Sequence, residues 1–145
     1  MEKRYYLVKL IAFFLMRCYN EFDNFFRRTR IMISQGERNV RTVKNMYAGA
    51  GEVVIESLLG ANELNEKCGL FARVTLAKGC ELGYHTHHGE TETYYILSGR
   101  GIYDDNGVKL SVNAGDVLFC RDGCGHAISN TGDESLGFIA LIIKG

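Results

Sequence analysis

Proline is absent from this 145-residue chain, although ordinary usage of about 5% would supply roughly seven. Turns therefore cannot rely on a ring-locked φ. The 17 glycines take over that work, because glycine reaches positive φ without steric cost. Net charge is absent too, with 17 basic residues balancing 17 acidic ones. The balance is uneven along the chain. Residues 1–31 hold seven Lys or Arg against three acids, a net of +4, and residues 32–145 hold ten against fourteen, a net of −4. The body is mildly acidic, nothing in it looks like a nucleic-acid surface, and no nucleic-acid partner is expected. The five cysteines (Cys18, Cys68, Cys80, Cys120 and Cys124) make an odd count. A chain of this length can bury about two thirds of its unfolded surface without staples. Free thiols in a reducing compartment, the cytoplasm, fit better than a disulfide framework. Cys120 and Cys124 do not form a CxxC, so these thiols read as small, buried, apolar side chains.

An apolar stretch long enough to cross a bilayer is missing at the start of the chain. Residues 5–16, YYLVKLIAFFLM, follow a charged MEKR and resemble the opening of a secretory signal. The run is too short to span as a helix, and no small-residue cleavage site follows it. Three readings of residues 1–31 compete. They form a segment packing on the body or on a second copy, a weak membrane-surface anchor, or an extension outside the working protein, since Met32 opens MISQGERNVRTVKNM like a natural start. The last is favoured, and no membrane partner is expected.

What is present is a series of short strands. With 46% hydrophobic and 23% charged residues, the chain suits one domain. GEVVIESLLG (51–60), LFARVTLAKG (70–79), YYILSG (94–99), GIYDD (101–105), VKLSV (108–112), VLFC (117–120), HAISN (126–130) and LGFIALII (136–143) carry β-branched and aromatic residues between glycine turns. Asp105-Asn106-Gly107 is a tight-turn signal. Eight or so strands with no long helical period after residue 50 indicate an all-β sandwich or barrel.

All four histidines fall between residues 85 and 126. His85 and His87 lie two apart, so on a strand both imidazoles face one way. Glu92 starts the next strand after a short HGET connection, and His126 opens a later one after a glycine-rich turn. Three imidazoles and a carboxylate suit one divalent ion, Mn²⁺, Fe²⁺, Ni²⁺, Co²⁺ or Zn²⁺. His88 is out of phase and should face away. Glu90 shares parity with Glu92, but as part of a tight turn it is expected in solvent.

The run from Gly79 through His85, His87 and Glu92 to Gly99 fits G(x)5HxH(x)4E(x)6G at every fixed position. The run from Gly115 through Gly123 and His126 to Asn130 fits G(x)5PxG(x)2H(x)3N, except that Arg121 stands where the pattern has proline. These are similar to the two motifs of the cupin family, and fifteen residues separate them. The resemblance covers about residues 50–143. It implies a single cupin barrel (a double-stranded β-helix, or jelly roll) over residues 32–145, with residues 1–31 as an extension. It implies metal ligation by His85, His87, Glu92 and His126, and pairing into a homodimer through sheet edges. Arg121 leaves open how stiff the turn before His126 is.

Such sites serve several chemistries. The first expectation is an enzyme of isomerase or dioxygenase type acting on a small oxygen-rich molecule, a sugar, sugar acid or keto acid. Tyr94, Tyr103 and Glu92 are candidates for moving protons, with none singled out. The alternatives are a non-catalytic module binding a small molecule or metal and, behind both, a closed structural zinc site.

Overall fold

A computed structural model describes Met16 and residues 32–145. The chain divides into two units, Met1–Ser34 and Gln35–Gly145, and the second carries the strands and the candidate site. The expectations for residues 1–31, and Cys18 with them, lie outside the described residues. Among the described residues no helix is long and apolar enough to cross a membrane.

Ten strands run in order through the second unit: β1 Val40–Lys44, β2 Glu52–Ser57, β3 Cys68–Leu76, β4 Glu81–Thr86, β5 Glu90–Ser98, β6 Arg100–Asp105, β7 Val108–Asn113, β8 Val117–Cys120, β9 Gly125–Asn130 and β10 Leu136–Lys144. They form two antiparallel sheets, one of six strands in the order β1-β2-β3-β10-β5-β8 and one of four in the order β4-β9-β6-β7. This is the two-sheet jelly roll expected from the sequence. Strand β1 was not foreseen, nor was the single turn of 3₁₀ helix Met46–Ala48 after it.

Alternation of side chains builds the core. Ala72, Val74 and Leu76 of β3 point inward, opposite Ala140, Phe138 and Leu136 of β10. Ile96 pairs with Phe138 and Tyr94 with Ala140, while Tyr103 and Leu82 of the smaller sheet both pair with Ile128. Each large side chain buried this way contributes about 1.5–3 kcal/mol relative to exposure. The small pair Ala72 and Ala140, directly opposite each other, fills less of the interior than its neighbours. Near it a cavity opens between the sheets.

Turn chemistry follows the glycines. Asn106 and Gly107 both take positive φ (50° and 95°), closing the β6–β7 hairpin as Asn-Gly does best. Asn130 ends the second motif as a structural corner. Its amide donates to the carbonyls of Leu76 and Glu134, both at 2.9 Å, and its Oδ1 accepts the Gly132 N–H at 2.9 Å.

Candidate metal centre

Strand β4 carries a bulge that decides where its histidines go. Leu82 pairs with Ile128 and His85 with His126, so three steps on β4 match two on β9. The extra residue shifts side-chain parity by one. Leu82, His85 and His87 therefore face the interior, and Tyr84 and Thr86 face out. His87 lies just beyond the end of β4, held by backbone bonds from its N–H to the Cys124 carbonyl (3.1 Å) and from the Gly123 N–H to its own carbonyl (2.9 Å). The Gly89 N–H donates to Asp122 Oδ1 at 2.8 Å. These bonds tie the 121–124 turn to the ligand-bearing segment, so its position does not need the missing proline.

The four chosen side chains come together. Glu92 Oε2 lies 2.9 Å from His126 Nε2, 3.2 Å from His87 Nε2 and 3.5 Å from His85 Nε2. His126 Nε2 is 3.0 Å from His87 Nε2 and 3.1 Å from His85 Nε2. One ligand atom from each of the four lies within 4.8 Å of the others. Adjacent ligands about 2.1 Å from a common first-row ion stand about 3.0–3.4 Å apart, so the spacing fits.

The outer ring nitrogens fix the tautomers. His85 Nδ1 meets the Gly83 carbonyl at 3.0 Å, and His87 Nδ1 meets Glu90 Oε1 at 2.9 Å. Both partners are acceptors only, so both Nδ1 atoms carry the proton and both Nε2 atoms present lone pairs to the centre. His126 Nδ1 lies 2.9 Å from the Tyr103 hydroxyl, which can accept from it in the same arrangement or donate to it in the other tautomer. The lone pairs of His85 Nε2 and His87 Nε2 and the Glu92 oxygen repel one another unless a cation or a proton sits among them. The donor set is compatible with a divalent metal ion and leaves the ion's identity open.

Electrostatics agree. Burial raises the Glu92 carboxyl, but its close approach to His126, His85 and Tyr94 outweighs that and brings it down to about 2. Burial also pushes His126 below its ordinary 6.5, against the pull of Glu92. Both shifts disfavour acid. The unfolded chain takes up protons on His126 below about pH 6.5 and on Glu92 below about 4.5, where the folded protein resists them. Metal-free protein should lose stability as pH falls from about 6.5 toward 2. Urea midpoints measured across that range test this, and a flat profile between pH 6.5 and 4 would contradict the geometry.

Several outcomes refine the sequence reading. His88 is exposed, as its phase required. Glu90 is not in solvent: as the first residue of β5 it is half-buried and holds His87 in its tautomer. A carboxylate behind a ligand histidine typically contributes 10–100-fold in metal affinity. Glu90→Gln should weaken metal binding by about that factor in competition with a chromophoric chelator, whereas an unchanged affinity would make the contact incidental. Tyr47 went unnoticed altogether. Its ring stacks on His85 at 4.3 Å between centroids and 11° between planes. Tyr94 and Tyr103, two of the candidates for moving protons, both lie against the cluster. Tyr94 stacks on His126 at 5.0 Å and bonds to Glu92, and burial holds both hydroxyls above their ordinary range, protonated. Cys120 is buried, its thiol pushed up to about 11 by that burial. This suits the small apolar role read for it.

A cavity of about 240 Å³ opens beside the cluster. His85, His87, Glu92 and Tyr94 are among its polar lining residues, and Ile55, Leu70, Val74, Leu82, Ala140 and Ile142 among its apolar ones.

Comparison with known proteins places this arrangement. The family model for the cupin domain matches residues 72–142. The oxalate-binding protein of Thermotoga maritima is 42% identical over 115 residues, which cover 79% of this chain and 95% of that protein. A crystal structure from the same organism, described as a predicted oxalate decarboxylase, aligns with a TM-score of 0.76 at 41% identity, over 79% of this chain and 100% of that one. A cupin-2 domain from Rhodospirillum rubrum shares the fold at a TM-score of 0.64 and 18% identity, over 79% of this chain and 74% of that one. With its two motifs folded into one centre, this chain belongs to the cupin family.

Proposed function

We propose that the protein holds a divalent first-row metal through His85, His87, Glu92 and His126 and binds small carboxylates with two adjacent oxygens, the class of oxalate. The observation that carries the metal is the convergence of bare Nε2 lone pairs on Glu92 Oε2. When bound, the ion supplies Lewis acidity and coordination positions beyond the four protein atoms. The similarity to an oxalate-binding protein at 42% identity supports the ligand class. The cavity supports it as well. A sugar presents hydroxyls all round, and each one left unpaired against an apolar wall costs about 1–3 kcal/mol. A small carboxylate carries fewer polar groups to satisfy than a sugar does. Arg41, the one Lys or Arg among the described residues that line the cavity, offers a guanidinium suited to carboxylate geometry.

Binding is favoured over turnover because the acid-base groups on the lining are committed. Glu90 is bonded to His87, and Tyr94 to Glu92. The working unit is the barrel of residues 32–145, to be checked by whether a chain starting at Met32 folds and keeps its metal. Function is tested by calorimetry of oxalate against protein loaded in turn with Mn²⁺, Fe²⁺, Co²⁺, Ni²⁺ and Zn²⁺. Saturable binding that disappears with the metal is expected. Release of carbon dioxide or formate from oxalate would replace the binding reading with an enzymatic one.

A further inference from the structure

We infer that within this class the cavity selects 2-oxo monocarboxylates bearing a short apolar substituent over oxalate itself. This rests on the metal-and-carboxylate reading above. The basis is the hydrocarbon share of the cavity's lining. Ile55, Leu70, Val74, Leu82, Ala140 and Ile142 present only hydrocarbon to it, beside the polar groups of His85, His87 and Glu92. Ile55, Val74, Leu82 and Ala140 are buried, part of the barrel's own core. The space exists because Ala140 faces Ala72 across β3 and β10, while the next inward pair, Val74 and Phe138, is far bulkier.

The size of the cavity points the same way. About 240 Å³ lies just under the range of about 300–1,000 Å³ typical of pockets for drug-sized ligands. That is more room than a dianion as small as oxalate occupies. Oxalate directs two oxygens at the cluster and leaves two outer ones. Arg41 can satisfy one, and the other competes for the few remaining donors on a lining rich in hydrocarbon, which weakens binding. A 2-oxo acid keeps the chelating pair of oxygens and one outer carboxylate oxygen. In place of oxalate's second outer oxygen it presents carbon to the wall. Each methylene then taken out of water adds about fourfold in affinity until the wall is filled.

Calorimetry of the metal-loaded protein with oxalate, pyruvate, 2-oxobutanoate and 2-oxopentanoate tests this. Affinity should rise by about fourfold per added methylene, and the longer acids should bind more tightly than oxalate. Ala140→Val, which fills the wall, should lower the ratio of 2-oxopentanoate to oxalate affinity by about fourfold or more. Ile142→Ala, at a half-buried position that tolerates truncation better, should move the optimum to a longer tail and provides the test if Ala140→Val does not fold. Oxalate binding more tightly than every 2-oxo acid, with no gain along the series, would overturn this inference and leave the metal-and-carboxylate reading standing. No binding by any of these acids to protein shown to hold metal would overturn both.

Discussion

Removal of the metal should lower the melting temperature by roughly 10 °C without unfolding the protein at room temperature, and His126→Ala should reproduce that loss. A ligand that binds the native state alone adds RT ln(1 + [M]/Kd), about 2.7 kcal/mol at a hundredfold excess over Kd. For a domain near this size each kcal/mol is worth about 2–8 °C. The fold should survive because its hydrophobic cluster, from Val53 to Ala140, is built without the metal. His126 is the informative position. Its Nε2 lies within 3.1 Å of each of Glu92 Oε2, His87 Nε2 and His85 Nε2, and its Nδ1 meets Tyr103. Truncation removes a ligand, leaves the buried Tyr103 hydroxyl without its partner and opens a void under the Tyr94 ring. The variant should therefore melt at or below the chelated wild type, because an orphaned buried group costs a further 1–3 kcal/mol or so. It should no longer respond to chelator. Differential scanning calorimetry with and without chelator, with metal content measured in each sample, decides the matter. Identical melting curves for metal-loaded and demonstrably metal-free wild type would mean that these residues do not hold an ion in the native state.

The four-residue cluster was readable from the sequence because its elements are local and bounded. His85, His87 and Glu92 sit within eight positions between Gly79 and Gly99, and His126 between Gly115 and Asn130. The residues that support them were not readable, for three separate physical reasons. Glu90 reaches His87 only because the β4–β5 connection folds back at Gly89 (φ +74°), a closure that strand parity does not report. The bulge at Gly83 and Tyr84 shifts the phase of β4 by one residue. The sequence therefore paired His85 and His87 correctly with each other, but only the structure puts them on the side of Leu82. Strand β1 has no apolar alternation to detect, since four of its five residues are exposed at the sheet edge. Tyr47 comes soon after that edge strand, and its contact with His85 depends on tertiary packing alone.

That packing leads to the second large effect, expected from Gly83→Ala. A Cβ on Gly83 would stand 2.6 Å from the Gly49 amide nitrogen and run into the Tyr47 carbonyl oxygen. Both are backbone atoms, so no side-chain rotation relieves the overlap, and one of the two segments must move. The segment opposite is poorly placed to move harmlessly. Asn45, Tyr47 and Ala48 all hold left-handed backbone conformations (φ 48°, 52° and 62°), each costing roughly 1–2 kcal/mol for a residue with a Cβ. Such conformations persist only where surrounding contacts impose them. Here the contacts are the close approach of Gly49 to Glu81 and Gly83 and the bond from the Glu81 N–H to the Ala50 carbonyl at 2.8 Å. Once Gly83 pushes the turn away, the strained residues can relax, and Tyr47 leaves the face of His85. The Gly83 carbonyl, which fixes the His85 tautomer, shifts with it. Gly83→Ala should destabilise the chelated protein by about 3 kcal/mol, at the upper end of ordinary overpacking. It should also weaken metal binding about 10–100-fold through the lost support of His85. Gly36→Ala is the control, since nothing lies within 4 Å of its would-be Cβ, and it should melt within a degree or so of wild type. Urea denaturation in chelator isolates the fold, and competition with a chromophoric chelator isolates the site. If Gly83→Ala matched Gly36→Ala in both measurements, the turn bearing Tyr47 would not be clamped by β4, and His85 would owe its orientation to other contacts.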